Sequence, residues 1–433
     1  MKDAIFITYP DSFVRGDEKP LKTLSRLDLE CFDAVHVLPF FPSTSDKGFS
    51  VSDYTIVDPE YGDWNDLPDS LMVDCVFNHT SRSHPWFDSH PEYYLRFDSV
   101  PKTSVFRPRD SSLFTQIGEY YYWTTFSADQ IDLDVSKPEV QEELENIISL
   151  YIDKGAKLLR IDAAPYLFKD FSHISTIETH EYLQSLIKKF SDVTIIAEVN
   201  RVQEEIDEYR KYAHVYNFAL PGLVYHAFLH QDISGLLTHL QDDFRNYINV
   251  LATHDGIGLN AARSYVDTSS LVDDTRAKGF SGSEYELNIN YFDALDRSED
   301  KMITAHSLLL CLEGIPAVYY HSFFGSYGIK VAGRGANRAV IHYDSLMQSL
   351  STNSVTSRIN SSIRHLLGLR EKLSESQEVY EQDGLLVVKR GDVLCLHNFS
   401  AQQKRIAEVY DLVSEQTTSC VKAFGCVWHK KDL

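Results

Sequence analysis

Four short segments of this chain each carry a carboxylate within or just after an apolar, strand-like run. They are Asp74-Cys75-Val76-Phe77-Asn78-His79, Leu159-Arg160-Ile161-Asp162-Ala163, Ile195-Ile196-Ala197-Glu198-Val199 and Leu251-Ala252-Thr253-His254-Asp255. A carboxylate that closes a buried strand is held rigidly at the rim of a sheet. Two such groups on adjacent strands can flank one bond. Breaking an α-glucoside needs a carboxylate nucleophile, a carboxylic acid and further polar groups that grip the sugar hydroxyls. These residue types recur here in one order along the chain.

The elements that must position them are legible as short β-branched runs separated by helical patterns. Eight runs are read, at 4–8, 34–38, 71–76, 157–161, 193–197, 214–217, 248–252 and 317–320. The count predicts an α/β fold, a (β/α)8 TIM barrel whose chemistry lies at the C-terminal strand ends. Asp162 then follows the fourth strand, Glu198 the fifth, and His254 and Asp255 the seventh. Helical spacing is clear over 138–152 and 179–190. Little more than a turn or two of helix fits before the third strand, where Pro68 interrupts a short connection. Residues 81–127, rich in Pro, Ser and aromatics, are expected to form an insertion after strand 3. From Gln377 the pattern alternates and turns at Arg390-Gly391-Asp392 like a hairpin. The expected organisation is a barrel of residues 1–80 and 128–370, the insertion, and a small C-terminal β domain over 377–433.

Composition excludes several classes. The formal net charge of −22 opposes nucleic acid, and any anionic substrate must be met by a local cation. No apolar run approaches a membrane span, and the start lacks a signal-peptide layout, so a cytoplasmic protein with no membrane partner is expected. The six cysteines show no metal-ligand spacing.

The four ordered segments resemble the signature regions of the α-amylase family of glycoside-active enzymes. Longer strings resemble its sucrose phosphorylase branch, among them Val37-Leu38-Pro39-Phe40-Phe41-Pro42, Gly48-Phe49-Ser50-Val51-Ser52-Asp53-Tyr54, Phe106-Arg107-Pro108-Arg109 and Thr253-His254-Asp255-Gly256-Ile257-Gly258. The resemblance implies a retaining phosphorylase that passes a glucosyl unit from sucrose or a related α-glucoside to inorganic phosphate. It implies Asp162 as nucleophile and Glu198 as general acid/base, with Asp255 strengthening its hold on the sugar in the transition state. The pKa of Glu198 should be raised, while Arg160 should keep Asp162 ionised. Asp53, His79 and His254 would surround the glucose hydroxyls, with Phe126 as an aromatic wall. Arg109 and Tyr285 would contact acceptor or phosphate. Asn78 stands where many family members hold calcium, a site the branch usually lacks; no acidic cluster compensates, so no metal and no cofactor are expected. A monomer or homodimer is expected.

The chain also departs from the branch. It is shorter than is usual there. Glu286 stands where sucrose-specific members tend to show Gln, Phe106 where they carry Tyr, and His342 where an Arg is expected. All three lie toward the acceptor, so fructose, fructose phosphate, glycerol and glycerate stay open as leaving groups. A hydrolase or transglucosidase with the same three carboxylates, and a catalytically weak sugar-binding relative, are the rival readings.

Overall fold

The computed structural model describes residues 4–105, 112–242, 244–331 and 333–431. Eight parallel strands close into a barrel in chain order, and the last pairs with the first. They are β1 (Ile5–Thr8), β2 (Ala34–Val37), β3 (Leu71–Cys75), β4 (Ala156–Ile161), β5 (Thr194–Ala197), β6 (His214–Asn217), β7 (Tyr247–Val250) and β8 (Ile315–Tyr319). These bounds lie within two residues of the runs read from sequence. Almost every strand residue is buried, because side chains fill the inside and helices cover the outside. Such strands read as continuous apolar runs, which is why they are legible.

The covering helices include α1 (Pro138–Asp153), α2 (Ile177–Lys189), α3 (Gln203–Arg210), α4 (Ala219–His230), α5 (Glu299–Cys311) and α6 (Val355–Arg370). On α1, Val140, Leu144, Ile147, Ile148 and Tyr151 form the buried stripe, spaced at helical intervals. Among the described residues no α-helix lies between β2 and β3. Two 3-10 turns, Asp46–Gly48 and Trp64–Asp66, take its place. The indole of Trp64 covers the gap, against the rings of Phe40, Phe41 and Tyr151 at 5.4, 6.2 and 6.3 Å.

The excursion after β3 is closed at its base by an antiparallel ladder of His79–Ser81 with Gln130–Asp132. Farther out, Arg96–Phe97, Phe114–Ile117 and Tyr120–Trp123 form a small sheet. The C-terminal strands Glu378–Gln382, Leu385–Arg390, Val393–His397 and Cys426–Lys430 make a four-stranded antiparallel sheet. This sheet is docked on α5, where the buried Trp428 donates its Nε1–H to Ser307 Oγ at 2.7 Å. Among the described residues no helix is long and apolar enough to cross a membrane.

Candidate active site

The carboxylates converge because the barrel ladder runs past the formal strand ends. Asp162 N–H donates to Cys75 O at 3.1 Å, and Glu198 N–H donates to Ile161 O at 3.0 Å. Both side chains are thereby fixed on adjacent strands at the same rim. The chain turns at Ala163 in the left-handed region (φ 47°), which aims its N–H at Glu198 Oε2, 2.8 Å away.

Arg160 lies beneath the pair. Its Nη1 contacts Asp74 and is 3.0 Å from Asp162 Oδ1, and its Nη2 is 3.9 Å from Glu198 Oε1. Asp74 also meets His36 Nε2 at 2.8 Å. Burial pushes the Asp74 carboxyl upward, but Arg160 and His36 outweigh it and hold the group at about 2. Asp74 is a structural anchor for the arginine. Burial raises Asp162 well above the usual carboxylate range; Arg160 opposes and Glu198 adds to the rise. Glu198 is raised too, by burial first and then by Asp255, against Arg160 and the Ala163 N–H. Arg160 is expected to keep Asp162 ionised, and it does oppose the rise; burial and the neighbouring carboxylates push the other way, so Asp162 and Glu198 compete for a proton.

Asp255 is different. Burial again pushes upward, but Arg334 Nη1 at 2.7 Å, His254 Nε2 at 3.2 Å and Arg338 Nη2 at 3.4 Å hold it well below the ordinary value. The following Gly256 has φ 100°, and a Cβ there would stand 2.3 Å from Leu287 O, so the turn that presents Asp255 requires glycine. Burial keeps His254 neutral, with its pKa lowered to about 3. Its ring stacks on Phe49 at 4.9 Å.

These groups open into one cavity of about 500 Å³ at the C-terminal strand ends. Asp162, Glu198, His254, Asp255, His79, Phe126 and Tyr285 all line it, and Arg160 borders a smaller hollow that shares His254 and Asp255 with it. His79 Nε2 is 2.8 Å from Phe49 O, and the Phe126 ring stands 5.4 Å from the imidazole. Three lining amide oxygens, Gln130 Oε1, Asn200 Oδ1 and Asn288 Oδ1, are buried with no hydrogen-bond partner.

Asp53 does not belong to this cavity. Its Oδ1 accepts from Thr55 N and Oγ1 at 2.7 and 2.6 Å, and it faces a separate hollow beside Trp86. Asp46, seven residues earlier, faces the cavity instead and meets Arg338 at 3.5 Å. His342 is exposed and does not line the cavity. Phe106 and Arg109 lie outside the described residues. Sequence reasoning missed Asp46, Arg334 and Arg338. Arg334 joins Asp255 to Glu286, contacting the latter at 2.9 and 3.2 Å. The two arginines lie four residues apart in the run that ends at His342, and that spacing was the available signal. Among the described residues no group of three or more His, Cys, Asp or Glu side chains is placed to hold a metal ion.

A family model described as the alpha-amylase catalytic domain matches residues 8–358. A glucosylglycerate phosphorylase of Spirochaeta thermophila is 35% identical, over 92% of this chain and 80% of that protein. A sucrose phosphorylase of Agrobacterium vitis is 31% identical, over 78% of this chain and 82% of that protein. The crystal structure of sucrose 6F-phosphate phosphorylase from Thermoanaerobacter thermosaccharolyticum shares the fold, with a TM-score of 0.80 at 24% identity over 92% of this chain and 94% of that one. The chain belongs to the alpha-amylase family. Within it, this is an enzyme of the branch formed by sucrose phosphorylase and the related glucoside phosphorylases.

Proposed function

We propose that this protein is a retaining α-glucoside phosphorylase that transfers a glucosyl unit to phosphate by double displacement, with glycerate as the leaving group. The observation that carries the chemistry is the Asp162–Glu198 pair on adjacent strands, opening with Asp255 into one cavity. In the first half, Glu198 gives its proton to the glycosidic oxygen as Asp162 attacks the anomeric carbon. The leaving group departs as an alcohol, and a covalent glucosyl-enzyme remains. In the second half a phosphate oxygen attacks that carbon, Asp162 is released, and Glu198 takes the phosphate's proton. The product is α-glucose 1-phosphate, with configuration retained.

In the reactive form of this reading the pair's proton is on Glu198 and the charge on Asp162, an arrangement favoured by Arg160, which is 3.0 Å from Asp162 and 3.9 Å from Glu198. Asp255, kept ionised by two arginines, stabilises the positive charge that develops on the ring. In this reading His79, His254 and Asp46, which line the cavity, grip the hydroxyls and Phe126 covers one wall.

Sucrose is the donor that the family resemblance suggests first. Glycerate is favoured as leaving group because glucosylglycerate phosphorylases of Spirochaeta thermophila and Allomeiothermus silvanus are 35% and 33% identical, and because Glu286 replaces the Gln of sucrose-specific members. Arg334, beside Glu286 and Tyr285, supplies a cation toward which a carboxylate or phosphate can move, with Arg109 as a second candidate. We place the reaction in the cytoplasm. Incubating the purified protein and phosphate with glucosylglycerate, glucosylglycerol, sucrose or sucrose 6F-phosphate tests the reading. Glucose 1-phosphate should form fastest from glucosylglycerate. Phosphate-independent release of glucose would instead assign a hydrolase, and no turnover of any donor would leave a sugar-binding relative.

A further inference from the structure

The hollow that Asp53 faces has a volume of about 330 Å³ and shares no lining residue with the carboxylate cavity. Its walls are residues 52–55 after β2, residues 84–86 at the start of the short helix Pro85–Ser89, and one face of α1. The connection from β2 to β3 has no α-helix among the described residues, and the hollow lies between that connection and α1. Ligand pockets span about 300–1,000 Å³, so this one suits a single ring better than a chain.

Trp86 forms the apolar wall with Ile147 and Leu150. Its indole is braced by the rings of His84, Tyr93 and Tyr54 at 4.5, 5.6 and 6.0 Å, yet it stays half-buried. His84 is 6% exposed, and its Nδ1 accepts from Trp86 N–H at 3.2 Å. Burial lowers its pKa to about 4, against the pull of Asp53, so the ring is neutral and its proton is on Nε2. No described residue accepts that proton. Asp53 uses Oδ1 on Thr55, and its Oδ2 meets no donor among the described residues. The Glu143 carboxylate and the Asn146 amide, three residues apart on α1, are equally unengaged there.

The hollow thus offers two acceptors, one N–H donor and an amide that does both, beside an aromatic face. A phosphate or carboxylate would be repelled by Asp53 and Glu143. An amine would leave the His84 N–H without an acceptor. A pyranose ring suits the whole set, because its hydroxyls donate and accept and its C–H face covers an indole. We propose that this hollow is a second, non-catalytic sugar site for one neutral pyranose ring, with Trp86 as platform and Asp53, His84, Glu143 and Asn146 as hydroxyl partners.

Binding here is read without turnover, so the result is independent of the reaction assigned to the carboxylates. Biosynthetic 5-fluorotryptophan marks the four tryptophans, and Trp86→Phe assigns the Trp86 line in the fluorine spectrum. Glucose should shift that line saturably, with half-saturation at about 1–10 mM, while the line of Trp428 stays fixed. Asn146→Phe fills the hollow from its exposed rim and should abolish the shift. Glu143→Ala removes one acceptor and should raise the half-saturation at least about 5-fold. Sorbitol, a hexitol without a ring, should leave the line in place. No shift at about 100 mM glucose would overturn the proposal, as would an unchanged half-saturation in Glu143→Ala. A shift that persists in Asn146→Phe would overturn it by placing the glucose elsewhere, and an equal shift with sorbitol by showing a solvent effect.

Discussion

At the scale of single residues the site is built from opposed electrostatics. Glu198 is raised by burial and Asp255, while Asp255 itself is held low by its arginines. A carboxyl whose folded pKa exceeds its unfolded value binds protons more tightly when folded. Its ionisation therefore costs stability as pH rises from the unfolded value of about 4.3 through the folded one. Glu198→Gln removes that cost. The variant should melt higher than the parent, by a margin that widens with pH above the unfolded value and then levels, as read by calorimetry across a pH series. The same variant should lose turnover of ordinary glucosides and keep much more with glucosyl fluoride, whose leaving group needs no proton. Equal losses on both donors would refute the acid role. Glu286 gives a second test, since it neutralises Arg334. Glu286→Gln should lower the apparent KM for phosphate several-fold, and an unchanged or higher value would show that Arg334 does not receive the anion. The placement of Asp162, Glu198 and Asp255 was legible in the sequence because each ends or follows an apolar strand. That of Asp46 was not: it lies in an irregular loop, where no periodicity tells which of two nearby aspartates points inward.

At the scale of elements the same loop shows what periodic reading misses. Asp46 and Lys47 both take left-handed conformations (φ 51° and 55°), and Gly48 follows at φ 107°. A Cβ on Gly48 would stand 2.3 Å from Pro39 O. The turn is pinned from outside by Asp129, which accepts from Ser45 Oγ and Ser50 Oγ at 2.6 and 2.7 Å. It delivers Asp46 to the cavity and Phe49 to His254 and His79. Gly48→Ala should therefore cost at least about 1–3 kcal/mol of stability and raise the KM for the glucoside, because the clash displaces Phe49. Thermal melts and donor kinetics on one preparation would check both. A variant with native melting and KM would show that the loop relaxes without cost. The absent helix between β2 and β3 belongs to this scale too. Its place is filled by Trp64 and 3-10 turns, which have no repeating apolar signal to read.

At the scale of the whole molecule the question is whether the C-terminal sheet is a separate unit. Its alternating pattern marks a small β domain in the sequence, but alternation does not reveal what its inner face touches. The main core runs without a break from the barrel into this sheet, taking in Leu386, Val388, Val393, Cys395, Phe399 and Trp428. Polar contacts cross the same junction. Trp428 donates to Ser307, Ser307 Oγ is 3.0 Å from His397 Nε2, and Arg390 donates to Cys311 O at 2.6 Å. A sheet whose largest buried side chain lies in the barrel's own core cannot melt without exposing α5. The two parts should unfold in one transition, so that loss of activity and the calorimetric peak coincide. Trp428→Ala removes the indole and leaves Ser307 Oγ with His397 Nε2 but without the indole N–H. It should lower stability by about 3–5 kcal/mol and depress the melting of the barrel as well as that of the sheet. Two resolved peaks, with activity surviving the first, would show that the sheet is an appendage and the junction only a contact.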